Sequence, residues 1–246
     1  MIAPELIAIY TTTAFVFALA HGYERLGWAR TLLLLALTFS ISLLFESVGV
    51  GTGVVYGGYH YTERLGPMFL GLVPYVVPLA WFMMIYPSLV IATRVVPSRG
   101  KRLTWVALAA AVGALVMTAW DLVLDPIMTW FGYWQWEVEG AYYGVPLQNY
   151  LGWWLTAFII FFTFLLLARI PERDINQWAG SFNDFKRTGF ARLPVISYAV
   201  TGVMTALVAL EIGLRGPAVV GLATMGVWVV VGWRVRPAAH FQSPLS

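Results

Sequence analysis

The sequence predicts an all-α, polytopic membrane protein with about seven transmembrane helices. Of its 246 residues, 60% are hydrophobic and only 11% are charged, and the mean hydropathy is +0.75. Soluble domains carry about 25% charged residues. The apolar residues fall in stretches close to the roughly 20 residues that cross a hydrocarbon core. We therefore expect a single integral membrane domain over residues 1–246, with its core motifs at about 45–155.

The predicted spans follow the apolar stretches in chain order. The first has the weakest pattern, because the threonines at 11–13 and His21 dilute it. An even number of spans would spread the basic residues over both sides of the membrane, so the charge pattern also supports seven. The spans cover residues 5–23, 29–48, 69–93, 103–124, 149–169, 193–212 and 216–234.

The basic residues predict the orientation of the bundle. With seven spans, connections one, three and five share a side with the C-terminus, and that side holds all 15 Lys and Arg residues except Arg64 and Arg215. Excess Lys and Arg marks cytoplasmic loops, so we predict an outer N-terminus and a cytoplasmic C-terminus in a multi-pass protein of the cytoplasmic membrane. This placement explains the net charge of +3 without nucleic acid. The lack of Cys excludes disulfides and thiolate sites.

The two longer outer connections have an unusual composition. Residues 49–68 are rich in Gly and Tyr, and residues 129–148 are rich in Trp and Tyr. An aromatic belt at the headgroups is one explanation. The other is that they form part of a cavity, where non-helical backbone is tolerated at membrane depth.

The two connections also resemble each other. Glu46 precedes Gly58 by 12 positions, and Asp121 precedes Gly132 by 11. A duplication would place Glu46 opposite Asp121 and Asp125 in one cavity. Chance similarity between Gly- and aromatic-rich segments is the alternative.

Carboxylates inside the predicted spans are the strongest candidates for chemistry. Asp121 and Asp125 lie one helical turn apart, and intramembrane acids usually have a function. Two such groups do not both ionise readily, so one is expected to keep its proton and act as a general acid. Alternatively, Asp125 caps a helix end before Pro126 while Asp121 satisfies a buried polar partner, and Glu46 is a simple interfacial carboxylate. His60 is a candidate to position or deprotonate water. The alternative is that it is an ordinary hydrogen-bonded loop residue. Ligand spacing for a metal is lacking.

Several long motifs carry a family resemblance. They resemble the integral-membrane carotenoid biosynthesis family, whose characterised members are carotenoid 1′,2′-hydratases of the bisanhydrobacterioruberin and γ-carotene types. The motifs are Glu46-Ser-Val-Gly-Val-Gly-Thr-Gly, Tyr56-Gly-Gly-Tyr-His-Tyr-Thr, Val77-Pro-Leu-Ala-Trp-Phe-Met-Met, Ala119-Trp-Asp-Leu-Val-Leu-Asp-Pro, Gly132-Tyr-Trp-Gln-Trp, Tyr142-Tyr-Gly-Val-Pro-Leu-Gln-Asn and Gly152-Trp.

The resemblance implies that water is added across the terminal isopropylidene double bond of an acyclic carotenoid, by acid catalysis through a tertiary carbocation and without cofactor or metal. On chemical grounds, Asp121 or Asp125 would donate the proton. Glu46, with His60, would position or deprotonate the water. Aromatic faces would stabilise the cation. The candidate substrate-binding residues are Tyr59, Tyr61, Trp120, Trp134, Trp136, Tyr142, Tyr143 and Asn149.

The same resemblance names the partners and leaves two other functions open. The expected partners are a carotenoid from the lipid bilayer and water, with other carotenoid biosynthesis enzymes as further candidates and no nucleic acid. A membrane carotene (lycopene-type) cyclase would begin with the same protonation but capture the cation with an internal double bond. A non-catalytic carotenoid-binding or transport protein is the third interpretation.

Overall fold

The computed structural model describes residues 4–97, 100–168 and 185–234. The described residues form seven helices that are long and apolar enough to cross a membrane, which confirms the predicted fold class. The orientation relative to the membrane stays a prediction. The helices are α1 (Pro4–Leu26), α2 (Trp28–Thr52), α3 (Val76–Val95), α4 (Arg102–Trp130), α5 (Leu147–Leu167), α6 (Phe185–Glu211) and α7 (Arg215–Arg234).

Helix α3 occupies the centre of the bundle. It contacts α1, α2, α4, α6 and α7, and most of its side chains are buried. Helix α5 instead packs on α4 and α2 at the side of the bundle. The α4–α5 contact is close, because a side chain at Gly113 would lie 2.9 Å from the ring of Phe161. The polar residues of α2, α4 and α5 can therefore meet in the protein interior.

Two short strands join the two Gly- and aromatic-rich connections, 49–68 and 129–148. Strand β1 (Tyr59–Tyr61) pairs antiparallel with β4 (Trp134–Trp136), and His60 lies opposite Gln135. His60 follows Glu46 by 14 positions, and Gln135 follows Asp121 by the same number. Helix α2 contacts α5 as α3 contacts α4. Both observations are expected of a duplication of the helical hairpins α2–α3 and α4–α5, which stays a prediction. That the connections line a cavity stays a prediction.

A small hairpin replaces the predicted start of span three. Strands β2 (Met68–Phe69) and β3 (Val73–Pro74) pair with each other, so α3 begins at Val76 rather than near residue 69. Leu70 and Gly71 have φ values of 50° and 71°. Left-handed conformations at both central positions are typical of a type I′ hairpin turn. The apolar residues before Val76 therefore form a hairpin instead of the first turns of α3.

Helix α4 continues through Pro126 to Trp130 instead of ending near residue 124. A proline in a helix cannot donate to the carbonyl four residues earlier, which here belongs to Leu122. The hydroxyl of Tyr142 donates to this oxygen at 3.1 Å. The alternative that Asp125 caps a helix end is therefore wrong, since Asp125 lies within a continuous helix.

Candidate functional site

Glu46 is buried near the C-terminal end of α2 and accepts three hydrogen bonds. Tyr59 and Tyr61 donate through their hydroxyls to Oε2, the latter at 2.9 Å. Trp81 of α3 donates from Nε1 to Oε1 at 3.0 Å. With only 3% of its surface exposed, Glu46 is not a simple interfacial carboxylate. Its two oxygens are held by three neutral donors from two elements, β1 and α3.

His60 does not join this group. Successive side chains of a strand point to opposite faces, so Tyr59 and Tyr61 point towards Glu46 while His60 points away and is exposed. Its strand partner is Gln135. The structure therefore does not bring His60 together with Glu46, and a role of His60 in positioning water stays a prediction.

Three tyrosines beside Glu46 stay neutral donors. We call Tyr56, Tyr59 and Tyr61 the site tyrosines. Burial raises the pKa of each well above its usual value, and the nearby charge of Glu46 raises the pKa further. Tyr56 was not predicted; its hydroxyl lies 2.9 Å from that of Thr156 on α5. The site tyrosines therefore keep their protons well beyond neutral pH.

Asp121 and Asp125 are both buried and share one donor. The amide nitrogen Nδ2 of Asn149 donates to Asp121 Oδ2 at 2.8 Å and to Asp125 Oδ2 at 2.5 Å. Asn149 lies in the first turn of α5, so the α4–α5 contact brings the three side chains together. This confirms that Asp121 and Asp125 share a helix face.

The two aspartates differ in their other contacts. Oδ1 of Asp125 accepts bonds from Trp134 Nε1 at 2.7 Å and from the hydroxyl of Thr129 at 3.2 Å. Oδ1 of Asp121 is buried and has no hydrogen-bond partner among the described residues. The Nε1 of Trp136 donates to the hydroxyl oxygen of Thr129 at 3.1 Å, and Thr129 in turn donates to Asp125. Asp125 thus has three donors and Asp121 has one.

A wall of indole rings connects the two acidic groups. Trp81, which donates to Glu46, stacks on Trp153 with ring centroids 4.5 Å apart. Trp153 meets Trp120 edge to face at 6.0 Å. Trp120 is adjacent to Asp121 in α4, and its buried Nε1 has no hydrogen-bond partner among the described residues. Trp81 and Trp153 lie within recognised motifs, but nothing in the sequence marked them as site residues.

Tyr142 and Tyr143 lie at the edge of the site. The hydroxyl of Tyr142 is engaged by the carbonyl of Leu122. Tyr143 is half exposed, and a side chain on Gly216 of α7 would meet its hydroxyl. We therefore do not count either hydroxyl among the hydrogen-bond donors to the three carboxyl groups.

The three carboxyl groups are close enough to interact electrostatically. Glu46 interacts with both Asp121 and Asp125. Within the described part of the chain, their hydrogen-bond donors are Tyr, Trp, Thr and Asn side chains, and no basic side chain is among them. Three buried acids without a basic partner among the described residues can hold a proton in a nonpolar environment, and a general acid must be protonated at the working pH.

Comparisons with known proteins identify relatives of the chain. The chain matches the family described as carotenoid biosynthesis protein over residues 5–228. Bisanhydrobacterioruberin hydratase of Haloarcula japonica is 38% identical over 125 residues, which cover 51% of this chain and 41% of that relative. The match therefore spans less than half of the relative's length. No solved structure matches significantly. The family match covers most of the sequence, and the chain belongs to the carotenoid biosynthesis protein family.

Proposed function

We propose that this protein is a carotenoid hydratase, which adds water across the terminal isopropylidene double bond of an acyclic carotenoid end. The observation that carries the proposal is the buried acid pair Asp121–Asp125, bridged by Asn149 and supplied only with neutral donors among the described residues. Membership in the carotenoid biosynthesis family supports a carotenoid substrate, and the relative named a hydratase supports hydration.

Hydrogen bonding favours Asp121 as the proton donor. Burying an unpaired charge is costly, so the cluster retains at least one proton. Glu46 and Asp125 each accept three hydrogen bonds, which favour a carboxylate. Asp121 accepts one and has a free buried oxygen. The proton therefore belongs on Asp121.

The reaction then proceeds in two steps. Asp121 transfers its proton to the less substituted carbon of the double bond, and the π electrons form the new C–H bond. This leaves a tertiary carbocation and the Asp121 carboxylate. A water oxygen forms the C–O bond, and the water gives one proton back to Asp121. The net change is addition of one water molecule, and the acid is regenerated without any cofactor.

The surroundings are suited to the cation. The indole faces of Trp81, Trp120 and Trp153 attract positive charge. The carboxylates of Glu46 and Asp125 stabilise it electrostatically, because opposite charges interact strongly where water is excluded. The unpartnered Nε1 of Trp120 and Oδ1 of Asp121 can hold the reacting water. On the basis of the positive-inside pattern, we place this site in the outer half of the cytoplasmic membrane.

Product mass tests the proposed reaction. The gene is expressed in a host that accumulates an acyclic carotenoid with isopropylidene ends, and the pigments are analysed by mass spectrometry. We expect a product heavier by one water molecule for each end that reacts. An isomeric product would indicate a cyclase. Unchanged pigment that purifies with a folded protein would indicate binding or transport and overturn the hydratase proposal.

A further inference from the structure

A row of aromatic side chains runs along one side of α5. Tyr150, Trp154, Phe158 and Phe162 are spaced four residues apart, which places them on neighbouring turns of one helix face. Trp154 stacks on Phe158 at 5.1 Å and 15°, and Phe158 stacks on Phe162 at 5.5 Å and 22°. We call these four residues the α5 ladder. At a rise of about 1.5 Å per residue it is roughly 18 Å long.

The α5 ladder begins beside Glu46, Asp121 and Asp125, which we call the carboxyl cluster. Tyr150 follows Asn149, the residue that bridges the two aspartates. The hydroxyl of Tyr150 is buried without a hydrogen-bond partner among the described residues, and it interacts electrostatically with Asp121 and Asp125. From this point the ladder runs away from the site, along a helix that is predicted to cross the membrane. The ladder therefore extends from the three carboxyl groups towards the interior of the bilayer.

The rings of the α5 ladder are only half-buried. Trp154, Phe158 and Phe162 pack against the protein core on one side and are accessible on the other. Because these rings stack on each other along the helix, it is their edges that form the accessible surface. Ring edges carry the positive part of the aromatic quadrupole and prefer to meet a π face. Saturated lipid tails have no π face, whereas a conjugated polyene presents one along its whole length.

We infer that the α5 ladder binds the conjugated polyene of the carotenoid whose terminal double bond reaches Asp121. This inference rests on the proposed function and adds the course of the substrate through the protein. The polyene lies along α5 on the lipid-facing side, with its isopropylidene end near Tyr150. The ladder selects a long, flat, conjugated chain, and the carboxyl cluster acts on its end.

The test removes the rings and keeps their apolar character. In Trp154→Leu/Phe158→Leu, we expect KM for an acyclic carotenoid in detergent micelles to rise about tenfold while kcat is unchanged, because leucine preserves the helix and the distant acids. This fold-change corresponds to about 1.4 kcal/mol. The control is Leu155→Ala, which alters an exposed apolar residue outside the ladder and should leave KM unchanged. The single variant Phe158→Leu, with a smaller rise, applies if the double variant does not fold.

A binding measurement separates this inference from the proposed reaction. The same carotenoid is titrated into wild type and variants, and the circular dichroism induced in its visible absorption band reports binding without turnover. Weaker binding by the double variant supports the ladder even if wild type does not hydrate the carotenoid, a result that would overturn only the proposed reaction. If wild type hydrates the carotenoid but KM and induced dichroism are the same in the double variant, the ladder does not bind the polyene. A fall in kcat with unchanged KM also overturns it.

Discussion

Replacement of Asn149 by Leu removes the amide that donates to both aspartates of the acid pair. Leucine has a similar size and suits a helix, so the change mainly deletes the amide. The bonds to Asp121 Oδ2 (2.8 Å) and Asp125 Oδ2 (2.5 Å) are lost. Asp121 then has no hydrogen-bond donor among the described residues, whereas Asp125 keeps those from Trp134 and Thr129.

The expected destabilisation follows from these two bonds. A hydrogen bond to a charged acceptor contributes about 2 kcal/mol and one to a neutral acceptor about 1 kcal/mol. With one carboxylate and one protonated carboxyl group, the loss is about 3 kcal/mol. For a chain of this size, a loss of that magnitude lowers Tm by about 6–12 °C.

Apparent Tm is measured on purified protein in detergent by intrinsic tryptophan fluorescence. The matched control is Gln148→Leu at the adjacent position. The Gln148 side chain is exposed and donates to the carbonyls of Gly53 and Val54 at 3.2 and 2.7 Å, so its loss should cost less than about 1 kcal/mol. If the Asn149 variant melts at the same temperature as the control, the two hydrogen bonds from Asn149 do not stabilise the protein.

Three further predictions test other contacts. Trp134→Phe keeps a ring but removes the 2.7 Å bond to Asp125; initial hydration rates should fall about tenfold, and an unchanged rate would refute the role of this donor. Gly113→Ala brings Cβ to 2.9 Å from the ring of Phe161, whereas Gly226→Ala meets nothing within 4 Å. Thermal unfolding should show a loss of about 1–3 kcal/mol for Gly113→Ala and a gain of up to about 1 kcal/mol for Gly226→Ala; equal effects would contradict the packing. Because burial raises the pKa of the site tyrosines, the stabilisation from their neutral form is complete below the usual value of about 10 and is lost as pH rises above it. Ultraviolet absorbance should then show these tyrosinates only on unfolding, and their titration near the usual value in the folded protein would refute their burial.

The helices could be predicted well because lipid imposes a direct requirement on sequence. Every spanning segment must be apolar and must satisfy its backbone internally, so hydropathy located all seven. The errors have local causes. The β2–β3 turn places Leu70 in a left-handed conformation. Leucine rarely adopts this conformation, so the sequence did not indicate a turn at this position. The extension of α4 past Pro126 depends on Tyr142, which lies 20 positions from the carbonyl it satisfies.

The site could be predicted in part for a similar reason. A carboxyl group in an apolar span is conspicuous, so Glu46, Asp121 and Asp125 were identified from sequence. A tryptophan in such a span is not conspicuous, because its ring suits lipid equally well. The role of Trp81 as a donor to Glu46 depends on the packing of α3 on α2, which the sequence does not show. The orientation of His60 depended on the phase of strand β1, which is set by its pairing with β4.

The most direct test of the central claim compares Asp121→Asn with Asp125→Asn. Both variants are expressed in the carotenoid-producing host, their amounts and Tm are checked, and the hydrated product is measured for each. Because only Asp121 is assigned as the acid, we predict that Asp121→Asn yields folded protein with no hydrated product, whereas Asp125→Asn retains measurable hydration at a reduced rate. Full hydration by Asp121→Asn would contradict the account.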